Sequence, residues 1–195
     1  MNTSHSSRRQ FLLGSVSGIS STWLSWRWPA VLKAQEQAQI AAQLSPATFQ
    51  FFSPQDAVEV NAIAAQVIPS DGALGAREAH VIHFIDQVLV TFERDKQPTY
   101  NVGLKNLQLS TQKLFPDADK FSTLAGAQQI QLLTTIERTE FFEAVRVHTI
   151  MGFLSKPDYG GNYKQAGWNL IGFDDRMVHE PPFGYYDAEF RKAGR

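Results

Sequence analysis

A chain of 195 residues with 43 % apolar and 19 % charged side chains is long enough for one domain with a real core plus a tail, and its composition is globular. It contains no cysteine, which excludes disulfides, thiolate metal ligands and cysteine nucleophiles. The formal charge of −1 hides an asymmetry: Arg8, Arg9, Arg27 and Lys33 stand in the first 34 residues without a single acid, leaving 14 basic against 19 acidic side chains, a net −5, from residue 35 onward. That remainder carries no basic cluster, so nucleic acid is not an expected partner.

In chain order, Ser7-Arg8-Arg9-Gln10-Phe11-Leu12-Leu13 comes first and matches the twin-arginine export pattern: an arginine pair, a spacer, a bulky apolar residue and leucine. The weakly apolar run that follows, to Leu24, is diluted by glycine and serine and falls short of the ~20 apolar residues of a membrane-spanning helix. Residues 1–34 therefore read as an export signal carried by Arg8, Arg9, Phe11 and Leu12, and 35–50 as a Gln/Ala-rich spacer. Residues 51–195 read as one helical domain. A route that carries folded cargo raises the question of what this chain, or something bound to it, must assemble before export.

The domain has helical period nearly throughout. Ser53-Pro54-Gln55-Asp56 is a helix start, with a serine N-cap, a proline in the first turn and an acid three residues past the cap. Ala57, Val60, Ala64 and Val67 share one side, and Pro69 stops the helix. Pro69 to Glu78 reads as a loop. Over 77–94, Val81, Ile82, Ile85, Val88, Leu89 and Phe92 fall within roughly a 100° arc, while His80, His83 and Asp86 lie opposite as a solvated or partner-facing polar face. A third helix is expected over 102–115, anchored by Leu104, Leu107 and Leu114. A fourth is expected over 128–138, with Ile130, Leu133 and Ile136 or Leu132 inward. The run 141–154 is apolar on nearly every side and should be the central buried helix, ended at Lys156-Pro157. A loop-rich segment follows. With little strict alternation anywhere, the fold class is all-α: a single compact helical domain with a loop-rich C-terminal segment behind an N-terminal export signal.

Candidate chemistry is thin. His80, His83 and Asp86 offer metal-type donors at i, i+3 and i+6, but the outer two sit about 120° and about 9 Å apart on a helix, which makes convergence on one ion awkward. His148 reads as a core histidine with one hydrogen-bond partner; Glu140 is too far to touch it. Glu137, Glu140 and Glu143 lack the Glu-x-x-His that would complete a di-metal bundle pattern and read as a charged face. There is no G-x-S-x-G elbow, no G-x-G-x-x-G after a strand and no phosphate-binding P-loop. In "YGGNYKQAGWNLIGF", Gly160-Gly161 lets the backbone approach something closely, Asn162 can close a turn, and Trp168, Ile171 and Phe173 need burial. The segment is either a loop packed on its own helices or a surface shared with another subunit.

These residues carry a resemblance. "PSDGALGAREAHVIHFIDQVL" and "FFEAVRVHTIMGFLSKPDYGGNYKQAGWNLIGF" resemble the two signature regions of the gluconate 2-dehydrogenase subunit 3 family, the small subunits of membrane-associated bacterial sugar and sugar-acid dehydrogenases. The matched positions are Ile68, Pro69, Asp71, Gly72, Gly75, Ala76, Arg77 and Glu78, then Pro157, Tyr159, Gly160, Gly161, Asn162, Gly167, Trp168, Ile171 and Gly172. The resemblance spans about residues 50 to 175. The sequence departs at Phe173-Asp174, where members often have a proline, and the tail to Arg195 is not covered.

The resemblance implies a division of labour. A large flavoprotein subunit holds FAD and oxidises the sugar or sugar acid, and a cytochrome c subunit with haem c passes electrons on. The small subunit has no cofactor, metal or catalytic residue of its own; it aids maturation of the flavoprotein and carries it through the twin-arginine translocase to the periplasm, at the inner membrane. Asp71, Arg77, Tyr159, Gly160, Gly161, Asn162 and Trp168 are then the expected partner interface, and Asp71, Arg77 and Asn162 are candidates to reach the partner's substrate pocket. The alternative is an independent periplasmic helical protein that binds a small ligand or metal through His80, His83 or His148.

Overall fold

The computed structural model describes residues 49–176 and Val178. The export signal at Arg8, Arg9, Phe11 and Leu12, the spacer to residue 48 and the chain end lie outside the described residues. Among the described residues there are six α-helices and no strand: α1 (Pro54–Val67), α2 (Val81–Val90), α3 (Gln97–Leu114), α4 (Gly126–Ile136), α5 (Glu140–Leu154) and α6 (Ala166–Ile171). None is long and apolar enough to cross a membrane.

α5 is the axis. It packs on α1, α2, α3 and α6, with its longest pairing against α2. Phe141, Ala144, Val145, His148, Thr149 and Phe153 are all buried, as expected of a helix apolar on nearly all sides. Its start is built by Thr139, whose hydroxyl accepts from the Phe142 amide at 3.2 Å, and Glu140 and Glu143 lie in the first turn, where they meet the positive end of the helix dipole. α1 starts as the sequence suggests: the Ser53 side chain accepts from the Asp56 amide, with Pro54 in the first turn. At α4, Gln128 reaches back to the Ala125 amide at 3.0 Å.

Several boundaries and facings differ from the sequence reading. α2 begins at Val81 rather than 77, because 76–80 forms turns and His80 sits in the left-handed region at φ 56°. α3 begins at Gln97-Pro98 and buries Tyr100, Gly103, Leu107 and Thr111. That face leaves Leu104 only half-buried and Leu114 exposed. α4 buries Gln129, Leu132 and Leu133 and turns Ile130 to the surface. Gln129 is tied by Gln66 at 2.6 Å and by the Phe121 carbonyl at 3.1 Å, which is how a polar side chain comes to hold an inward position. Asp86 is not solvated but buried. The C-terminal segment is loop-rich as expected, and within it stand two 3-10 turns (Pro157–Tyr159 and Tyr163–Gln165) and the short α6.

Candidate functional site

The first signature segment closes on itself. The Glu78 carboxylate accepts from the Gly75 amide at 2.9 Å and from the Ser70 hydroxyl. The Ser70 hydrogen bond holds the Glu78 carboxyl below its usual range, against the opposing effect of partial burial. The Ala76 amide donates to the Ile68 carbonyl at 2.9 Å. The loop delivers Asp71, Leu74, Arg77 and His80 to the surface.

The second segment caps a helix. The last carbonyls of an α-helix have no partner inside it, and here the motif supplies them. Asn162 Nδ2 donates to the Ser155 carbonyl at 2.8 Å, and Trp168 Nε1 donates to the Leu154 carbonyl at 2.9 Å. The other end of the Asn162 amide, Oδ1, accepts from the Gly167 amide at 2.8 Å. Asn162 is wholly buried, at φ 51°, a conformation that asparagine tolerates better than most residues. The adjacent glycines are there because backbone lies where a side chain would be. A Cβ on Gly161 would stand 2.2 Å from the Gly152 carbonyl oxygen, and one on Gly167 would stand 1.8 Å from that of Phe153. Trp168 is buried in its own chain and meets Phe173 edge-on at 5.1 Å, while Phe173 itself is half exposed and Ile171 half-buried.

The fold brings the two segments together. The Tyr163 amide donates to the Ala79 carbonyl at 3.0 Å. The Tyr163 ring lies flat on the His80 ring, centroids 4.3 Å apart and 5° from parallel. Gly160, at φ 95°, runs along the backbone of His83 and Phe84. Four non-glycine residues of the described chain have positive φ: His80, Asn162, Lys164 and Gln165. All four lie on these two segments, and backbone strain of this kind concentrates where geometry is over-determined for a purpose. Asp71, Arg77, His80, Tyr163 and Lys164 are among the exposed residues of the two segments, with the Lys164 ammonium 5.4 Å from the centre of the Tyr163 ring. Tyr159 is half-buried against the core, and burial raises its phenol above the ordinary value.

The metal-type donors go separate ways. His80 stacks on Tyr163, His83 stacks on Phe49 at 5.2 Å, and the Asp86 carboxylate accepts from the amides of Gln50, Phe51 and Phe52. Among the described residues no three His, Asp or Glu side chains are placed to hold one ion. Burial lowers the His83 imidazole below its usual value, His80 adds to this, and Asp86 opposes it.

His148 has two partners rather than one. Nδ1 lies 2.9 Å from the Tyr100 hydroxyl and Nε2 lies 2.8 Å from Glu93 Oε2. Burial, with Glu93 adding to it, pushes the Tyr100 phenol well above 10, so it remains a donor. With the Tyr100 hydroxyl donating to Nδ1, the remaining ring nitrogen, Nε2, is the one that donates to Glu93. The chain ties α3, the turn after α2 and α5 together beside a groove of about 330 Å³ lined by Glu93, Lys96, Glu140, Glu143 and Met151. Glu140 and Glu143 are exposed there, Glu143 paired with Arg146 at 2.7 Å. Sequence reasoning missed Glu93 and Tyr100 as partners because they lie 55 and 48 residues away. It missed the His80–Tyr163 stack for the same reason.

The family model for gluconate 2-dehydrogenase subunit 3 matches residues 54–175, well over half of the chain and all but the edges of the described domain. No curated protein and no solved structure matches the sequence. The chain belongs to the gluconate 2-dehydrogenase subunit 3 family.

Proposed function

From that membership, and the partner subunits it implies, we propose that this chain is the accessory subunit of a periplasmic FAD-dependent sugar or sugar-acid dehydrogenase. It docks on the flavoprotein through the face that joins its two signature segments, and its twin-arginine signal takes the assembled pair across the inner membrane. FAD belongs to the large subunit and haem c to a cytochrome c subunit.

The observation that carries this reading is the convergence of the two segments. Their interior members, Gly161, Asn162, Gly167 and Trp168, brace the fold, and their outer members are left for a partner to meet. Aromatic and arginine side chains are the usual anchors of such contacts, and Tyr163 and Arg77 are exposed here. Of the three residues considered for a partner's substrate pocket, Asp71 and Arg77 are exposed and Asn162 is wholly buried, which leaves Asp71 and Arg77 to approach it.

Two measurements test it. Replacing Arg8-Arg9 by Lys-Lys in the co-expressed complex should leave the flavoprotein in the cytoplasm; full arrival of the large subunit in the periplasm refutes the carrier role. Tyr163→Ala should leave the isolated subunit folded while cutting co-purification of the flavoprotein several-fold; undiminished capture refutes the docking face.

A further inference from the structure

Residues 49–52, which lead into α1, are gathered by one carboxylate. Asp86, on α2, is 2 % exposed. Its Oδ2 accepts from the Gln50 amide at 2.7 Å, and its Oδ1 accepts from the amides of Phe51 and Phe52, each at 3.0 Å. Three consecutive N–H groups wrapped round one anion form a nest, and they supply the hydrogen bonds that a buried carboxylate requires. These three residues precede α1, so no helix is there to pair their amides.

The aromatic side chains of this root continue the hold in two directions. Phe52 leans on the buried Tyr100, with ring centroids 5.7 Å apart. Phe49 stacks on His83, His83 meets His80 edge-on at 5.8 Å, and His80 stacks on Tyr163. Four rings thus run in an unbroken row from the point of chain entry to the second signature segment. Phe49 and His83 are only half-buried, so the row lies along the surface.

We infer that the root at residues 49–52 is part of the docking surface, and that Asp86 is the positioning residue that places it there. This rests on the docking role proposed for the Tyr163 face. The occupant is the flavoprotein subunit: the row of rings is continuous with the face assigned to it, and the segment that must travel with it enters the domain at the far end of the same row.

The test uses the full chain co-expressed with its flavoprotein. Asp86→Asn keeps the shape but turns an NH₂ toward amides that need an acceptor. Hydrogen exchange of the Gln50, Phe51 and Phe52 amides should quicken at least tenfold while the α5 amides keep their protection, and capture of the flavoprotein should fall several-fold. Unchanged exchange at 50–52 overturns the role of Asp86. Freed amides with undiminished capture place the root outside the docking surface and overturn the inference, provided Tyr163→Ala still weakens capture. If Tyr163→Ala also leaves capture intact, the docking reading itself has failed. Should Asp86→Asn not fold, Phe49→Ala decides: it removes the first ring of the row and leaves the carboxylate in place, and undiminished capture by that folded variant overturns the inference.

Discussion

Asn162→Ala separates a structural brace from a decorative loop residue. The substitution removes both hydrogen bonds of the buried amide, to the Ser155 carbonyl and from the Gly167 amide, each 2.8 Å. Gly167 is buried, so its N–H is left without a partner at ~1–3 kcal/mol. Ser155 is half-buried and water can replace the lost donor, which limits that cost to ~0.5–1 kcal/mol. Alanine at φ 51° adds ~1 kcal/mol over asparagine. The expected loss is therefore about 2.5–5 kcal/mol, or roughly 10–20 °C in Tm for a domain of this size. Asn162→Gly relieves the backbone but not the hydrogen bonds. After subtracting glycine's extra freedom in the unfolded chain it should be more stable than the alanine variant by ~0.5–1 kcal/mol. Urea unfolding of the three proteins, followed by far-ultraviolet circular dichroism and extrapolated linearly, measures both differences. An alanine variant within ~1 kcal/mol of the natural protein, or a glycine variant less stable than the alanine one, refutes the assignment of Asn162 as the cap of α5.

Two further outcomes follow from the polar interior. Tyr100→Phe takes away the hydrogen bond between the Tyr100 hydroxyl and His148 Nδ1 and should cost ~1–3 kcal/mol in the same unfolding assay, with α3 and the turn after α2 loosening first in hydrogen exchange; a neutral effect refutes the triad as a cross-tie. His83 titrates below the usual 6.5 in the folded protein because burial, and then His80, disfavour its charged form. The folded state thus gains stability at pH values above 6.5 and loses it as pH falls through the depressed folded value. The groups facing His83 are His80, Asp86 and the Phe49 ring. Exchange of the 49–52 amides, corrected for intrinsic pH dependence, should quicken between pH 7.5 and pH 5, and His83→Phe should abolish the change; a pH-independent root refutes this reading.

Much of the fold was legible because helix period and start signals act locally. Ser53-Pro54 began α1 where a serine cap and a first-turn proline demand it, and the run 141–154 proved to be the axis because a helix apolar on nearly every side must bury most of its surface. The errors came where tertiary contacts outrank local pattern. Leu114 and Ile130 face solvent while Thr111 and Gln129 face inward, because Thr111 returns its hydroxyl to the Leu107 carbonyl and Gln129 finds partners on two other segments. Asp86 looked solvated since no sequence signal reveals that the amides of residues 50–52 will fold around it. At the candidate site, Gly160-Gly161 was readable as a close backbone approach. That the approach is to the end of α5, with Asn162 and Trp168 serving as donors to its last carbonyls, depends on a chain reversal that no spacing rule encodes.

The contact of Gly161 and Gly167 with the α5 carbonyls has a consequence for recognition. Where main chain rests directly on main chain, no rotamer change can absorb a misfit, so the loop holds one shape before any encounter. In the docking proposed above, its surface residues meet the partner already arranged, with little ordering entropy left to lose on association. On that proposal, complementarity resides in the partner's surface, which has to match a mould that does not yield.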